Sequence, residues 1–476
     1  MLIPPVCKTS LYDIISITKS QMPFLATNRE RVNGMKKQQI KWVMLCLLCI
    51  LTACGGNSSS APSAPASNET NNQEAETFTT TLTEPVELEF WHAMTGDHET
   101  ALKAIVDTFN SEHENITVKP VPQGNYGDLQ QKIMAAAKAK NLPAIAQATS
   151  DAVPMYAAND FLISFTPYVE NEEVGLSEEE LEDVVEVFRA SSQWNNEYYA
   201  MPFSKSTRIL FYNQGLLEEN GQEVPTTWGE VRSVAEAITT DTVTGMGFEN
   251  DLLSEFQAVL KQMGGQYMEE ETGEITFNTD EGIAALTLID SMIADGIART
   301  AGEDGFMSNP FGRGDVGMYI GSSAGLPFVA AAAEGNIEWG ASTLPSFEGT
   351  EATQFAGNDV VAFNQGTQEE QLASWLFAKY LISPEVTADW SMKTGYLPVR
   401  YSAQELPEYQ AYVEENPGHA VGTKQFDAGF FTARLENSNA VRTIVNEEIE
   451  NAILDRKSVE EALLAAEERG TEELGN

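Results

Sequence analysis

The chain has 476 residues, and its 71 acidic residues outnumber its 28 basic residues, which gives a formal net charge of −43 at pH 7. A negative charge of this size repels nucleic acid and anionic lipid headgroups, so neither is an expected partner. The four cysteines lie at positions 7, 46, 49 and 54. The chain beyond residue 54 therefore has no disulfides, and its length predicts two or three domains.

The first organised feature is a short apolar segment, Trp42–Leu51, which follows three closely spaced lysines. A positive flank, a short apolar core and a small-residue exit are typical of a secretory signal. The segment is too short to span a bilayer, which needs about 20 apolar residues. Leu51–Cys54 resembles a bacterial lipobox, which implies cleavage before Cys54 and lipidation of that cysteine. The alternative is an uncleaved amphiphilic anchor, and both interpretations place the rest of the chain outside the cytoplasm.

The residues on either side of this signal are not predicted to fold. Residues 1–34 show no sustained periodicity and Met35 directly precedes a lysine pair, so we interpret 1–34 as an upstream extension and 35–53 as the signal peptide. Residues 54–84 are rich in Ser, Ala, Pro, Asn and Thr and have almost nothing to bury, which predicts a disordered tether with a reach of roughly 30 Å. The lipid anchor is then the only expected membrane contact.

From residue 85 onward, the patterns of strands and helices alternate. Apolar residues at 86, 88 and 90 predict a strand, and an apolar stripe over 101–109 predicts a helix. A strand over 116–118, a helix over 129–137 and a strand over 144–146 follow. This βαβαβ order predicts an α/β fold with a mostly parallel sheet and helices on both faces.

A second unit is predicted to begin near Lys205, just before a strand over 208–213. Thr227 and Glu230 match a capping box that opens a helix, and Ser458 and Glu461 match another near the end of the chain. The remaining predicted elements are a helix over 283–293, a strand over 316–320, a strand over 358–364 and a helix over 370–381, after which Ser383-Pro384 breaks the chain.

Patterns for catalysis and metal binding are absent from the sequence. The four histidines, at 92, 98, 113 and 419, form no HExxH pair, and neither a GxSxG elbow nor a phosphate-binding loop is present. Residues 312–317 match GxGxxG, but they precede a strand instead of opening a helix, which argues against a nucleotide site. No metal or cofactor is therefore expected. Glycoside hydrolysis by a pair of carboxylates stays an open alternative, because the many acidic residues make any chosen pair uninformative.

Aromatic and small polar residues follow the first three predicted strands. Trp91 ends the first strand, Tyr126 follows the second, and Ser150 and Asp151 follow the third. Ligands of open α/β sheets bind beyond the carboxyl ends of the strands, so we expect these residues to converge on a site. The alternative for Trp91 and Tyr126 is packing at the ends of the sheet.

Seven motifs are distributed over nearly all of 86–476: Glu89–Met94, Gly124–Tyr126, Asn141–Gln147, Pro202–Thr207, Ala341–Pro345, Lys393–Pro398 and Phe431–Arg434. Together they resemble the extracellular solute-binding proteins of ABC importers (family 1, sugar type). Within that family the resemblance is greatest to members that bind sn-glycerol 3-phosphate and glycerophosphodiesters.

The resemblance implies a two-lobed periplasmic-binding-protein fold of type II with three hinge crossings, near residues 204, 342 and 384. The N-terminal lobe would comprise 85–204 with 343–383, and the C-terminal lobe 205–342 with 384–476. It also implies that a solute is held between lobes that close and present it to ABC permease subunits. We expect a monomer that is not an enzyme.

The resemblance also implies a set of ligand contacts. Arg434 offers a planar fork of donors suited to a phosphate or a vicinal diol, and its alternative role is a structural ion pair. Ser150 stands where a relative has a glutamate, and the paired tryptophans of that relative are not evident in Phe248–Phe256. The resemblance therefore specifies the fold more closely than it specifies the solute. The family contacts fall on Tyr126, Ser206, Ser322, Gly357, Tyr396 and Arg434, which offer hydroxyls, an exposed backbone, aromatic faces and a cation.

The leading hypothesis is a lipid-anchored, extracytoplasmic binding subunit for a sugar, glycerol 3-phosphate or a glycerophosphodiester, on the periplasmic face if the cell has two membranes. Residues 54–476 carry 21 basic and 69 acidic residues, a formal charge of −48. This charge disfavours a phosphate monoester, although salt screens it beyond about 8–10 Å. The alternatives are a secreted lipoprotein hydrolase of glycans or phosphodiesters, which needs a metal or an activated nucleophile, and an adhesion or scaffold lipoprotein, which needs repeats or an interaction stripe.

Overall fold

The computed structural model describes residues 78–269, 272–435 and 437–475. The predictions for 1–34, for the signal 35–53, for lipidation of Cys54 and for the tether up to residue 77 therefore lie outside the described residues. The described residues belong to one compact unit. Among the described helices, none is both long enough and apolar enough to cross a membrane.

The strands of the described chain are β1 (Val86–His92), β2 (Ile116–Pro122), β3 (Ile145–Thr149), β4 (Gln193–Trp194), β5 (Glu197–Tyr198), β6 (Met201–Asn213), β7 (Thr244–Phe248), β8 (Ala298–Thr300), β9 (Val316–Ser322), β10 (Trp339–Thr343), β11 (Thr353–Ala362) and β12 (Gly429–Phe430).

The α-helices are α1 (Gly96–Glu112), α2 (Tyr126–Ala139), α3 (Val153–Ala158), α4 (Thr166–Val169), α5 (Glu178–Glu182), α6 (Glu186–Ser191), α7 (Gln214–Glu219), α8 (Trp228–Ile238), α9 (Leu253–Gln262), α10 (Asp280–Ala294), α11 (Ser308–Arg313), α12 (Leu326–Ala333), α13 (Gln368–Leu381), α14 (Pro384–Thr394), α15 (Pro407–Glu415), α16 (Ser438–Ile453) and α17 (Val459–Leu474). Short 3-10 helices cover Gly302–Asp304, Ser323–Gly325, Ser402–Glu405, Pro417–Ala420 and Gly422–Ala428.

Most strands join one mixed sheet in the order β2-β1-β3-β11-β6-β9-β7-β8, and β10 and β12 pair with β6 and β11. Strand β1 is parallel to β2 and β3, and β7 is parallel to β8 and β9. Strand β11 runs antiparallel to both β3 and β6. The structure has the predicted α/β class, but the centre of the sheet is antiparallel, because β6 runs antiparallel to both β11 and β9.

Strand β6 joins the first half of the sheet, with β1, β2, β3 and β11, to the second half, with β7, β8 and β9. Its residues 201–207 pair with β11, and residues 208–212 pair with β9. The prediction began a new unit near Lys205, yet the strand continues through that residue without a break. The crossing is a change of pairing partner within one buried strand, which an apolar sequence pattern does not reveal.

Each half of the sheet has its own hydrophobic core. The first contains Phe109 and Trp375, and the second contains Trp228 and Phe256. Packed helices bury these side chains against the sheet, and burial of one large apolar side chain contributes about 1.5–3 kcal/mol. Trp390, beyond the predicted crossing near 384, packs in the first core. The exact lobe boundaries stay predictions.

The helix-capping signals in the sequence are confirmed by the structure. Both predicted capping boxes form, at Thr227 with Glu230 and at Ser458 with Glu461. Such an N-cap contributes about 1 kcal/mol. The end of the predicted tether differs, because the Phe78 ring lies 5.1 Å from the Tyr168 ring, so residues 78–84 pack against the body instead of extending from it.

Candidate functional site

A cavity of about 340 Å³ lies at the crossing, the point at which β6 leaves β11 and begins to pair with β9. This volume suits a small polar molecule. Both halves of the sheet contribute to the wall, which contains eight of the nine residues predicted for ligand binding: Tyr126, Ser150, Asp151, Ser206, Ser322, Gly357, Tyr396 and Arg434. The wall also includes residues that were not predicted: Thr149, Ser254, Gln354, Phe355, Ala356, Phe431, Thr432, Ala433, Ser438 and Arg442.

Trp91 is the predicted residue that does not line this cavity. It is half-buried in β1, on the opposite face of the strand from Phe90, and its Nε1 donates to Glu89 at 3.1 Å. Its ring packs against a small core cluster that includes Ala146. This is the position that the packing alternative describes, and a role of Trp91 in ligand binding stays a prediction.

Ser150 lies at the end of β3, where the cavity meets a buried ion pair. The Lys205 ammonium lies 2.7 Å from Asp359 Oδ1, and both side chains are completely buried. Lys205 Nζ donates to Ser150 Oγ at 2.9 Å, and Ser150 Oγ donates to Asp359 Oδ2 at 2.7 Å. Lys205 Nζ also lies 4.9 Å from the centroid of the Phe431 ring, another residue of the wall. Burial lowers the pKa of Lys205, and Asp359 opposes that shift.

Two tyrosine hydroxyls meet at another point of the wall. The hydroxyls of Tyr126 and Tyr396 lie 3.3 Å apart, and Asn358 Nδ2 donates to Tyr126 at 2.7 Å. Burial raises the pKa of both tyrosines, so both stay neutral at pH 7. Tyr396 also stacks on Trp390, with the ring centroids 5.8 Å apart. The pair therefore presents fixed hydroxyls that can hydrogen-bond to a solute.

Arg434 is held at the wall by the end of helix α6. Its Nη1 donates to the carbonyls of Ser191 at 2.5 Å and Gln193 at 3.1 Å, and Nη2 donates to the carbonyl of Ala190 at 3.4 Å. A cation is favoured where helix carbonyls end. These contacts with backbone carbonyls fix the plane of the guanidinium at the cavity.

The backbone at Gly357 has a structural requirement for glycine. Its φ is +99°, and an added Cβ would lie 1.8 Å from the carbonyl oxygen of Ser204. The prediction gave Gly357 the role of letting a ligand approach the backbone. The structure adds a second reason, because β11 approaches β6 closely at this point, directly beside Lys205 in the pairing register.

A network of charged residues lies beside the second half of the wall and reaches the cavity at Asp151 and Arg442, and of its members only Asp151 was predicted. Arg208 Nε donates to Glu255 at 2.6 Å, and Glu255 is completely buried. Arg442 donates to Asp251 at 2.8 Å and lies 4.0 Å from Asp151. Burial raises the pKa of Glu255, and Arg208 opposes that shift. A glutamate inside the apolar stretch that opens α9 was the available signal in the sequence.

Other possible sites are less developed. Two surface grooves of about 410 Å³ each lie beside α1 and contain none of the predicted residues. Within the described ranges, no group of three His, Cys, Asp or Glu side chains is placed to hold a metal ion. The cavity at the crossing is therefore the main candidate site.

A mixed sheet in two halves, crossed by buried strands with a polar cavity at the crossing, defines a binding protein of the two-lobed type. Residues 104–417, about two-thirds of the chain, match the model of the bacterial extracellular solute-binding protein family. The chain belongs to that family. This assignment confirms the recognition made from the sequence motifs and supports the solute-binding function.

More particular similarities are to binding proteins for phosphorylated and sugar solutes. The chain is 26% identical over 410 residues to the sn-glycerol-3-phosphate-binding periplasmic protein UgpB of Salmonella paratyphi A. The matched region covers 80% of this chain and 91% of that protein. The chain is 26% identical to the cyclic alpha-maltosyl-1,6-maltose binding protein of Arthrobacter globiformis, with a TM-score of 0.69 over 81% of this chain and 97% of that one.

A third similarity concerns the fold alone. UgpB of Mycobacterium tuberculosis, solved in complex with glycerophosphocholine, has a TM-score of 0.73 with 21% identity over 82% of this chain and 98% of that one. The predicted two-lobed periplasmic-binding-protein fold is thereby confirmed.

Proposed function

We propose that this chain is the lipid-anchored binding subunit of an ABC importer and that it holds a sugar or a glycerol-phosphate-type solute in the cavity at the crossing of β6 and β11. The observation that carries the proposal is the cavity wall, which gathers eight of the nine residues expected for ligand binding, six of them from the family resemblance. They come from distant parts of the sequence, so their convergence does not follow from local packing alone.

The chemistry of the wall fits a solute with several oxygens. Ser206 and Ser322 supply short hydroxyls, and Tyr126 and Tyr396 supply hydroxyls fixed by their neighbours. The Arg434 guanidinium can approach a phosphate or a diol with a planar array of donors. Similar relatives bind glycerol 3-phosphate, glycerophosphocholine or a cyclic maltosyl-maltose according to their names, and these chemistries define the solutes to test.

Delivery requires a protein that remains close to its permease. The lipobox at Leu51–Cys54 and the following polar tether would hold the body at the outer face of the membrane. The solute would favour the closed arrangement of the lobes only through contacts that the open arrangement lacks. The permease subunits would then recognise the closed form, and the chain itself would carry out no reaction.

A solute screen tests the binding proposal. Residues 54–476 with Cys54→Ser are melted with glycerol 3-phosphate, glycerophosphocholine, maltose and trehalose, because a ligand of the folded state at 100 times its Kd adds about 2.7 kcal/mol of stability. Arg434→Ala should abolish the shift caused by a phosphorylated solute. Arg456→Ala, at the surface, is the matched control. No shift with any solute, or consumption of a solute, would contradict the proposal.

Lipidation is tested separately in cells. The full chain and its Cys54→Ser variant are expressed with a radiolabelled fatty acid. We expect label and membrane association for the full chain and neither for the variant. Equal labelling of both proteins would remove Cys54 as the anchor without affecting the binding proposal.

A further inference from the structure

Ser150 connects the cavity to the buried pair of Lys205 and Asp359. Its side chain lines the cavity, whereas the lysine and the aspartate lie behind it with no exposed surface. The three groups form a closed triangle, with 2.7 Å between Lys205 Nζ and Asp359 Oδ1, 2.9 Å between Lys205 Nζ and Ser150 Oγ, and 2.7 Å between Ser150 Oγ and Asp359 Oδ2.

The direction of each hydrogen bond in this triangle is fixed by chemistry. An ammonium group has donors and no acceptor, and an ionised carboxylate has acceptors and no donor. The bond from Lys205 therefore uses a lone pair of Ser150 Oγ, and the bond to Asp359 uses the only hydrogen of the serine hydroxyl. One lone pair remains on Ser150, so the serine can only accept a hydrogen bond from the cavity.

The surrounding structure holds this direction in place. Lys205 lies on β6 and Asp359 on β11, and the register of these strands shifts between residues 358 and 359. Ser192 Oγ lies 3.3 Å from Asp359 Oδ1, the oxygen that accepts from Lys205, and 3.0 Å from the Phe188 carbonyl, and its single hydrogen is shared between these two acceptors. The carboxylate thus has partners on both oxygens, and rotation of the serine hydroxyl towards the cavity would leave one of them unpaired.

We propose that Lys205 and Asp359 are specificity-determining residues that make Ser150 an obligatory acceptor, so that the bound solute must present a hydrogen-bond donor, a hydroxyl or an amine, at this point. The inference rests on the proposed binding function of the cavity. It also orients a phosphorylated solute, because a fully ionised phosphate has no hydrogen to donate. The hydroxyl-bearing end of such a solute faces Ser150, and its phosphate lies elsewhere in the cavity.

The test compares a solute with analogues that lack one donor. Calorimetry measures binding of glycerol 3-phosphate, glycerophosphocholine and maltose to the full chain, and then of monodeoxyfluoro analogues of each parent that binds. In the wild type, one analogue should bind about tenfold more weakly, since it leaves the Ser150 acceptor unpaired. In Ser150→Ala this difference should fall below about threefold, because the acceptor is absent.

The positioning residues are tested by a double substitution. Lys205→Met with Asp359→Leu removes both charges, and apolar replacement of a buried ion pair is often neutral or stabilising, so the variant should fold. Its serine can then donate or accept, and the analogue difference should again fall below about threefold. Ser192→Ala is the matched control, because it contacts the same aspartate outside the cavity wall, and it should retain the wild-type difference.

The outcomes separate the two proposals. If the wild type binds none of the three parent solutes, the proposed function fails and this inference fails with it. If the wild type binds a parent but no analogue is weakened, or if Ser150→Ala retains the full difference, only the acceptor role of Ser150 is overturned. If the double variant folds and retains the difference, Lys205 and Asp359 do not set it. If the double variant does not fold, Ser150→Ala alone decides the acceptor role.

Discussion

Lys205 and Arg208 lie three residues apart on β6, and their surroundings differ. The Lys205 side chain is completely buried, and 12% of the Arg208 side chain is exposed. Lys205 belongs to the part of β6 that pairs with β11, and its carboxylate partner is Asp359. Arg208 belongs to the part that pairs with β9, and its partner is Glu255. The two residues project from opposite faces of the strand, because side chains alternate along it.

The difference lies in the balance of charge. Around Lys205, one carboxylate and the Ser150 hydroxyl form a neutral set with fixed hydrogen-bond directions, and the further field is the positive one of Arg434. Around Arg208, the field of Glu249 and Asp251 adds to that of Glu255. The neutral set can control the direction of hydrogen bonds in the cavity, whereas the second set has surplus negative charge that its burial makes costly. Substitutions on each side of β6 can break or sharpen this contrast.

The largest effect is expected for Arg208→Met. Glu255 has no exposed surface, and the substitution leaves its buried carboxylate without its direct ionic partner. Loss of one member of a buried pair costs about 3–5 kcal/mol. We expect the free energy of unfolding, measured by urea denaturation at pH 7, to fall by at least about 3 kcal/mol.

The matched control is Asp107→Asn in an exposed ion pair. Lys103 and Asp107 form an i,i+4 pair at 2.6 Å, with 65% and 62% of their side chains exposed. Exposed pairs of this kind contribute about 0.3–0.5 kcal/mol. If Arg208→Met costs no more than Asp107→Asn, the carboxylates around Glu255 do not need the Arg208 cation, and the contrast between the two sides of β6 is smaller than proposed.

The elements of the first half of the sheet were predictable because each has a complete local signal. The strand at 86–92 and the helix at 96–112 follow apolar periodicities of two and about 3.6 residues. Capping boxes likewise depend on residues three positions apart. The crossing was not predictable in detail, since β6 is buried along almost its whole length, and burial on both faces removes the alternation that would mark a change of partner.

The residues of the site likewise fall into a group that was predictable and a group that was missed. Tyr126, Ser150 and Asp151 were predictable from their places after strands, and Ser206, Tyr396 and Arg434 required the family resemblance. Partners behind the wall were missed, since they pair residues far apart in sequence. Lys205 and Asp359 are 154 residues apart, and no local pattern links them. Motifs therefore identified the wall of the cavity, but not the buried groups that set its hydrogen bonding.

An intermediate effect is expected for Gly357→Ala, beside Lys205. The alanine would need a positive φ and would place its Cβ 1.8 Å from the Ser204 oxygen. Gly296→Ala is the matched control, with a φ of +73° and no atom within 4 Å of the added Cβ. We expect Gly357→Ala to lower the free energy of unfolding by about 1–3 kcal/mol more than the control does. Equal losses in urea would mean that β11 moves away from β6 at little cost.

The smallest effect, and one of opposite sign, is expected for Glu249→Gln. Burial raises the pKa of Glu249, although Arg208 opposes the shift. The Glu249 carboxylate therefore binds a proton more readily in the folded protein than in the unfolded chain. The ionised carboxylate therefore destabilises the folded state above its folded pKa, and this penalty decreases as the pH falls. Glutamine keeps a carbonyl oxygen for the Met307 N–H, which Glu249 accepts at 3.1 Å. We expect the variant to be more stable than wild type at pH 8, by less than about 1 kcal/mol, with the difference vanishing towards pH 4.5, the ordinary pKa of a glutamate. A stability gain independent of pH would show that the surplus charge beside Arg208 is not its cause.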